Sequence, residues 1–343
     1  MKKAAKILFG TFLAVGMILY SDKTFSAALN GLDLWLYTII PTLFPFMVLF
    51  SWITPKISAK GGRFDFIAKR LFGISSSLMS VFVFGFISGY PMGAKMIADL
   101  RKSNSVSKAE AQHMLSFCNN AGAVFIYSAV SNTMLKNSRA VLFLLPVCIA
   151  SSLITGITYN IFFCDKIILR ENNRINDFVE PTFSYALYSA VKSVLTIGGC
   201  IVFFSVVSEA VLTILPFKNP NLKCIVSGLL EFSGGISLTA KSELPTKIIY
   251  PLVAAMLSWG GISVHIQTAA IMDGCGIDMG KYILCKAFSA CISFIIGFFA
   301  FKNLFEQSVP VFAVHNMPVF LPSVLVCIFI VIMRFFTNEK SPR

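Results

Sequence analysis

The chain has 343 residues, of which 56% are hydrophobic and 13% charged, with a net charge of +13 and a mean hydropathy of +0.77. A soluble domain carries nearer ~25% charged residues, so this composition excludes an ordinary soluble enzyme or binding module and points to a polytopic helical membrane protein. The apolar runs are long and continuous, not the alternating segments of about ten residues that a membrane β-barrel needs. The basic residues fall in loops between apolar runs, where they set orientation by the positive-inside rule; nucleic acid is not the expected partner. The nine cysteines are scattered, mostly inside apolar runs, without a CxxC pair or a Cys/His cluster. They read as small buried hydrophobes, with no metal and no cofactor implied.

In chain order, a basic start (Met1 to Lys6) precedes an apolar run to Tyr20. It reads as a first span with a cytoplasmic N-terminus; a signal peptide cut near Ser26-Ala27-Ala28 is the alternative. Residues 21–37 read as an outside loop entering an interfacial helix, with Trp35 and Tyr37 at headgroup level. Residues 38–53 form a second span, kinked by Pro41 and Pro45. The basic stretch 56–70 follows on the cytoplasmic side, and its IAKRLFG tail predicts an amphipathic surface helix.

Residues 74–100 contain SGYPMGAK in the middle of an apolar run. A single crossing would put Arg101, Lys102 and Lys108 outside. A re-entrant hairpin turning at GYPMG keeps them inside, and we adopt it. Ser107 and Glu110 have the spacing of a capping box. Residues 111–134 then cross outward, broken at Asn119-Asn120-Ala121-Gly122, and residues 138–162 return.

The second half repeats this order. Residues 185–215 cross; 222–240, with Glu231 and Gly234-Gly235, form a second hairpin; 248–270 cross with a break at SWGGISVHIQ; 281–301 cross again. A last span is expected at 319–336. The expected divisions are an N-terminal span and interfacial segment (1–37), a first repeat (38–163), a cytoplasmic linker (164–184), a second repeat (185–301), and a C-terminal span and tail (302–343). The two repeats start on opposite sides, which is an inverted-topology arrangement. A ten-span bundle without hairpins is the plain alternative.

Broken helices in lipid free backbone groups, and these survive only beside protein or a wet cavity. The breaks therefore outline a candidate substrate site: Ser88, Gly89, Tyr90, Pro91, Gly93 and Lys95; Asn119, Asn120 and Gly122; Glu231 and Ser233; Gly260, Gly261, Ser263, His265 and Gln267. Half-helix N-termini suit an anionic small molecule. An ionised Lys95 at mid-bilayer costs at least ~2.5–3.5 kcal/mol. It either faces a cavity, pairs with Glu231 or a bound anion, or snorkels to the interface. Glu231 either binds a proton or cation or neutralises Lys95, and His265 is either a titrating group or a packing residue. No HExxH, GxSxG, P-loop or paired-aspartate signature lies in a span, so an enzyme is not expected.

SGYPMGAKMIADLR, LSFCNNAGAVFI, GLLEFSGGI and SWGGISVHIQ resemble the sporulation integral membrane protein YlbJ family. That family is grouped with nucleoside-recognition, or gate, domains related to concentrative nucleoside transporters. The chain departs from the family pattern at Ala123, where proline is expected. The resemblance implies a concentrative-nucleoside-transporter-like fold and a role in late sporulation. Its members are thought to carry dipicolinic acid across the outer forespore membrane by alternating access. A nucleoside or other small-metabolite transporter, and a non-transporting scaffold in spore maturation, are the alternatives. The partners expected are an anionic small molecule and the lipid bilayer; a coupling cation and a homo-oligomer stay open.

Overall fold

A computed structural model describes residues 2–53, 65–75, 78–163, 182–214 and 219–301. The expected linker core (164–181), last span (319–336) and most of the basic stretch after residue 53 lie outside the described residues. All described elements are helical, and one compact unit, Met1–Phe299, holds the packing.

Helices α1 (Lys2–Leu19) and α2 (Ser21–Leu34) meet at a sharp bend, with Gly10–Leu19 at 102° to Ser21–Ile39. Residues 21–37 are therefore helix, not an entering loop. Helix α2 continues through one π-turn, Trp35–Ile39, into α3 (Ile40–Ile53). The wider turn ends just before Pro41, which has no N–H to give to the carbonyl four residues back. Trp35 packs against α10 (Phe183–Ile214). Its Nε1 donates to the Val194 carbonyl of α10 at 3.0 Å. Its ring fills the space that the bare Gly198 leaves, where a Cβ would meet the indole.

The short helix α4 (Asp65–Phe72) bears the expected amphipathic pattern, with Lys69 paired to Asp65 one turn back. Helices α5 (Met79–Ser88) and α6 (Met92–Lys102) pack on each other across a break at residues 89–91. Gly85 and Gly93 bring both helices close to the end of the next helix, since a Cβ on either would strike the Cys118 carbonyl. A short turn leads to α7 (Lys108–Cys118), opened by the expected capping box. Ser107 Oγ accepts from Glu110 N at 3.1 Å, and Glu110 Oε2 accepts from Ser107 N at 2.7 Å.

Residues 119–122 are non-helical, and α8 (Ala123–Phe125) restarts the helix directly into a long π-stretch, Ile126–Met134. The interruption thus stands with Ala123 in place of proline. Within the π-stretch, Ser131 and Thr133 donate to carbonyls five residues back, at 2.7 and 3.0 Å. Helix α9 (Ala140–Phe163) and helix α10 (Phe183–Ile214) are long and uninterrupted.

Helices α11 (Pro220–Leu230) and α12 (Phe232–Ala240) form the second packed pair, interrupted only at Glu231. Gly228 and Gly235 touch backbone to backbone across it. Helix α13 (Thr246–Trp259) ends on Gly260 at φ +82°, and α14 (Gly261–Ile271) follows at once. Helix α15 (Met279–Phe301) is the last described element. Among the described residues, four helices are long and apolar enough to cross a membrane: α9, α10, the α13–α14 pair and α15. The bent α1–α2 pair makes a fifth.

Candidate functional site

The four interruptions come together. At Gly89, φ +77°, a Cβ would lie 2.6 Å from Gly122 N, so the first two breaks touch backbone to backbone. At Gly261, φ +79°, a Cβ would lie 3.0 Å from Phe232 N and 3.1 Å from the Leu230 carbonyl, so the second two do likewise. Tyr90 links the pairs. Its hydroxyl donates to the Leu257 carbonyl at 3.3 Å, and its ring lies against Gly260 and 6.0 Å from the Phe232 ring.

A cavity of about 40 Å³ lies at this meeting point. Its polar wall includes Tyr90, Glu231, Ser233, Ser263 and Gln267, with the backbones of Gly89 and Gly122. Phe125, Phe232, Ile39 and Leu43 supply apolar surface, and Ile197 and Ile201 close it from α10. Small-molecule sites usually measure ~300–1,000 Å³. This one has room for about one or two waters, too little for a small-molecule cargo in this conformation.

Glu231 is 2% exposed. Its carboxylate caps its own helix: Oε1 accepts from Ser233 N (3.1 Å) and Ser233 Oγ (2.7 Å), and Oε2 from Gly234 N (2.6 Å). The N-terminus of α12, expected to receive a substrate anion, is thus filled by the chain itself. Lys95 does not neutralise it. Lys95 is half-buried on α6 outside the cavity, its electrostatic neighbours being Asp99 and Lys192. Of the readings open to Lys95, pairing with Glu231 is excluded in this conformation.

Asn119 and Asn120 lie deeper than the cavity wall. Asn119 Nδ2 donates to Thr268 Oγ1 and to the Tyr282 hydroxyl, both at 3.0 Å, while its Oδ1 accepts from Ala94 N at 3.3 Å. Asn120 Oδ1 accepts from Ser152 Oγ at 2.9 Å, and its Nδ2 donates to the Phe117 carbonyl at 2.6 Å. Gly93 gives this segment room, and Pro91 caps α6. His265 stands off the cavity, edge-on to Trp259 at 4.3 Å and to Tyr282 at 5.4 Å. Among the described residues neither ring nitrogen of His265 has a hydrogen-bond partner, nor does Ser88 Oγ.

Lys286 of α15 escapes a reading built on chain breaks, yet among the described residues it is the buried lysine beside the second break. It is 1% exposed. Its Nζ donates to the Asn119 carbonyl at 2.9 Å and to Asn120 Oδ1 at 3.3 Å, and lies 5.3 Å from the centre of the Tyr90 ring. No carboxylate of the described residues pairs with it. The available signal was a lysine one turn inside an apolar run, which also fits an interfacial anchor. Beyond Lys286 a serine ladder ties three long helices: Ser293 Oγ lies 2.7 Å from Ser151 Oγ and 2.5 Å from Ser258 Oγ.

The chain is similar to the sporulation integral membrane protein YlbJ of Bacillus subtilis (strain 168), with 22% identity in an alignment covering 87% of this chain and 82% of the relative. The resemblance carried by the break motifs is thus supported over most of the chain. No family model matches. No solved structure matches. With its apolar helices, the chain is an integral membrane protein with a sporulation-named homologue.

Proposed function

We propose that this protein is a carrier that moves a small planar carboxylate, dipicolinic acid, across a membrane by alternating access. In a sporulating cell that membrane is the outer forespore membrane. The observation that carries the reading is the convergence of four helix interruptions on one small cavity, whose largely apolar wall also holds Glu231, Ser233, Ser263 and Gln267. Lipid gives free backbone groups no partners; four breaks gathered at one point inside the protein are shielded from it, and the cavity among them is where a cargo would be held. The order hairpin, broken helix, hairpin, broken helix supports two repeats of opposite orientation, as in concentrative nucleoside transporters. Tyr90, Phe125 and Phe232 offer faces to an aromatic ring, and Ser233, Ser263 and Gln267 offer hydrogen bonds. The small cavity is one state of the cycle, and cargo enters when the hairpins part.

One observation favours a second reading. Glu231 presents a carboxylate to the cavity, which suits hydroxyl or N–H donors such as those of a nucleoside better than an anion. Uptake into proteoliposomes separates the two. Radiolabelled dipicolinate taken up above empty vesicles, with no uptake of uridine, is the expected result. Uridine uptake without dipicolinate uptake selects the nucleoside carrier. If neither moves and the protein is folded, the carrier reading falls in favour of a scaffold in spore maturation.

A further inference from the structure

We infer that Lys286 is the positive charge that selects a carboxylate, and that the Tyr90 ring is the door between it and the cavity. This rests on the carrier reading and deepens it. An ammonium group has three N–H donors. Two of them serve the Asn119 carbonyl and Asn120 Oδ1, and the nitrogen lies over the face of Tyr90, 5.3 Å from its centre. Tyr90 lines the cavity, while Lys286 does not. The ring therefore stands between the cavity and a cation that has no carboxylate partner among the described residues.

A lone buried ammonium is expensive, and carbonyl oxygens with an aromatic face offset only part of that cost. A carboxylate reaching Lys286 would supply the missing counter-charge. Tyr90 can move because its hydroxyl is held by one bond, to the Leu257 carbonyl, and it sits directly after the Gly89 hinge at φ +77°. Its displacement would join the Lys286 compartment to the cavity, opening a path from a carboxylate site to the aromatic surface of Phe232 and Phe125. Glu231 lies on the cavity side, away from Lys286 behind the ring. The ligand class that fits both ends has a carboxylate at one edge of a planar ring and hydrogen-bonding groups at the other.

The test measures uptake and equilibrium binding of three probes: dipicolinate, picolinate, and the neutral pyridine-2,6-dicarboxamide. Wild type is compared with Lys286→Gln, Lys286→Arg and Tyr90→Ala, each checked for a wild-type melting profile in detergent. A lost charge-assisted hydrogen bond is worth about 10- to 100-fold in affinity. Lys286→Gln should lose about that factor for both carboxylates and leave the diamide unchanged, while Lys286→Arg retains part of it. Tyr90→Ala should make Lys286 reactive to a water-soluble amine reagent, read by mass spectrometry. Folded Lys286→Gln that binds and carries dipicolinate like wild type overturns the inference alone. Equal loss for the carboxylates and the diamide also overturns it, because charge is then not what Lys286 supplies. Wild type that carries none of these probes and no uridine overturns the carrier reading and the inference with it. Where a variant fails to fold, wild-type preference decides: no preference for picolinate over the diamide counts against Lys286 as the selector.

Discussion

Single atoms decide much of this site. At Gly93 a Cβ would meet the Cys118 carbonyl and approach Asn119 Cα to 3.0 Å, both backbone positions that cannot swing aside. Gly93→Val should therefore push the first hairpin off the second break. Overpacking of this kind costs ~1–3 kcal/mol. A clearly lowered melting temperature in detergent is expected, and an unchanged one would mean that the α5–α6 pair does not pack there. Gly198 makes the opposite kind of contact, since the neighbour is a side chain. Gly198→Leu should displace Trp35 and free its indole from Val194, which would appear as a shifted Trp35 emission maximum in a variant lacking Trp52 and Trp259. No shift would place Trp35 away from α10. Lys286 shows where residue-scale reading stops. Its position in the chain suits an interfacial anchor, and only the approach of residues 119 and 120 from far away in sequence makes it a buried cation.

Among the elements, the interruptions were the legible part. Gly, Pro and Asn inside apolar runs announce a broken helix because their backbone chemistry is local, and all four expected breaks are present. The capping box was legible for the same reason. Ser107→Ala should cost ~1 kcal/mol, typical of a lost N-cap. A small drop in unfolding midpoint, reversed by Ser107→Asp, is the expected outcome; no drop would mean that α7 begins elsewhere. The segment 21–37 was misread because Asp22, Lys23, Asn30 and Asp33 look like a loop in lipid. Packing of α2 along α10 overrides that local polarity. In the first interruption of the later half, Gly234-Gly235 lie inside α12 and the break falls on Glu231, whose side chain caps that helix.

For the whole molecule, the question is which parts move. The serine ladder joins α9, α13 and α15 below the site, and Lys286 ties α15 to the break at residues 119–120. Around the cavity, by contrast, Ser263 and Gln267 border an open space. The proposed carrier is expected to open at its hairpins while the ladder stays shut. Single cysteines placed in a background without the native ones test that division. Ser233→Cys and Ser263→Cys, both in the cavity wall, should react with a small water-soluble thiol reagent, and dipicolinate should slow the reaction. Asn120→Cys, held in the network between Ser152 and Lys286, should react much more slowly than either. Comparable rates at all three would mean that the network itself parts, and protection at none would remove the cavity from the path of the cargo.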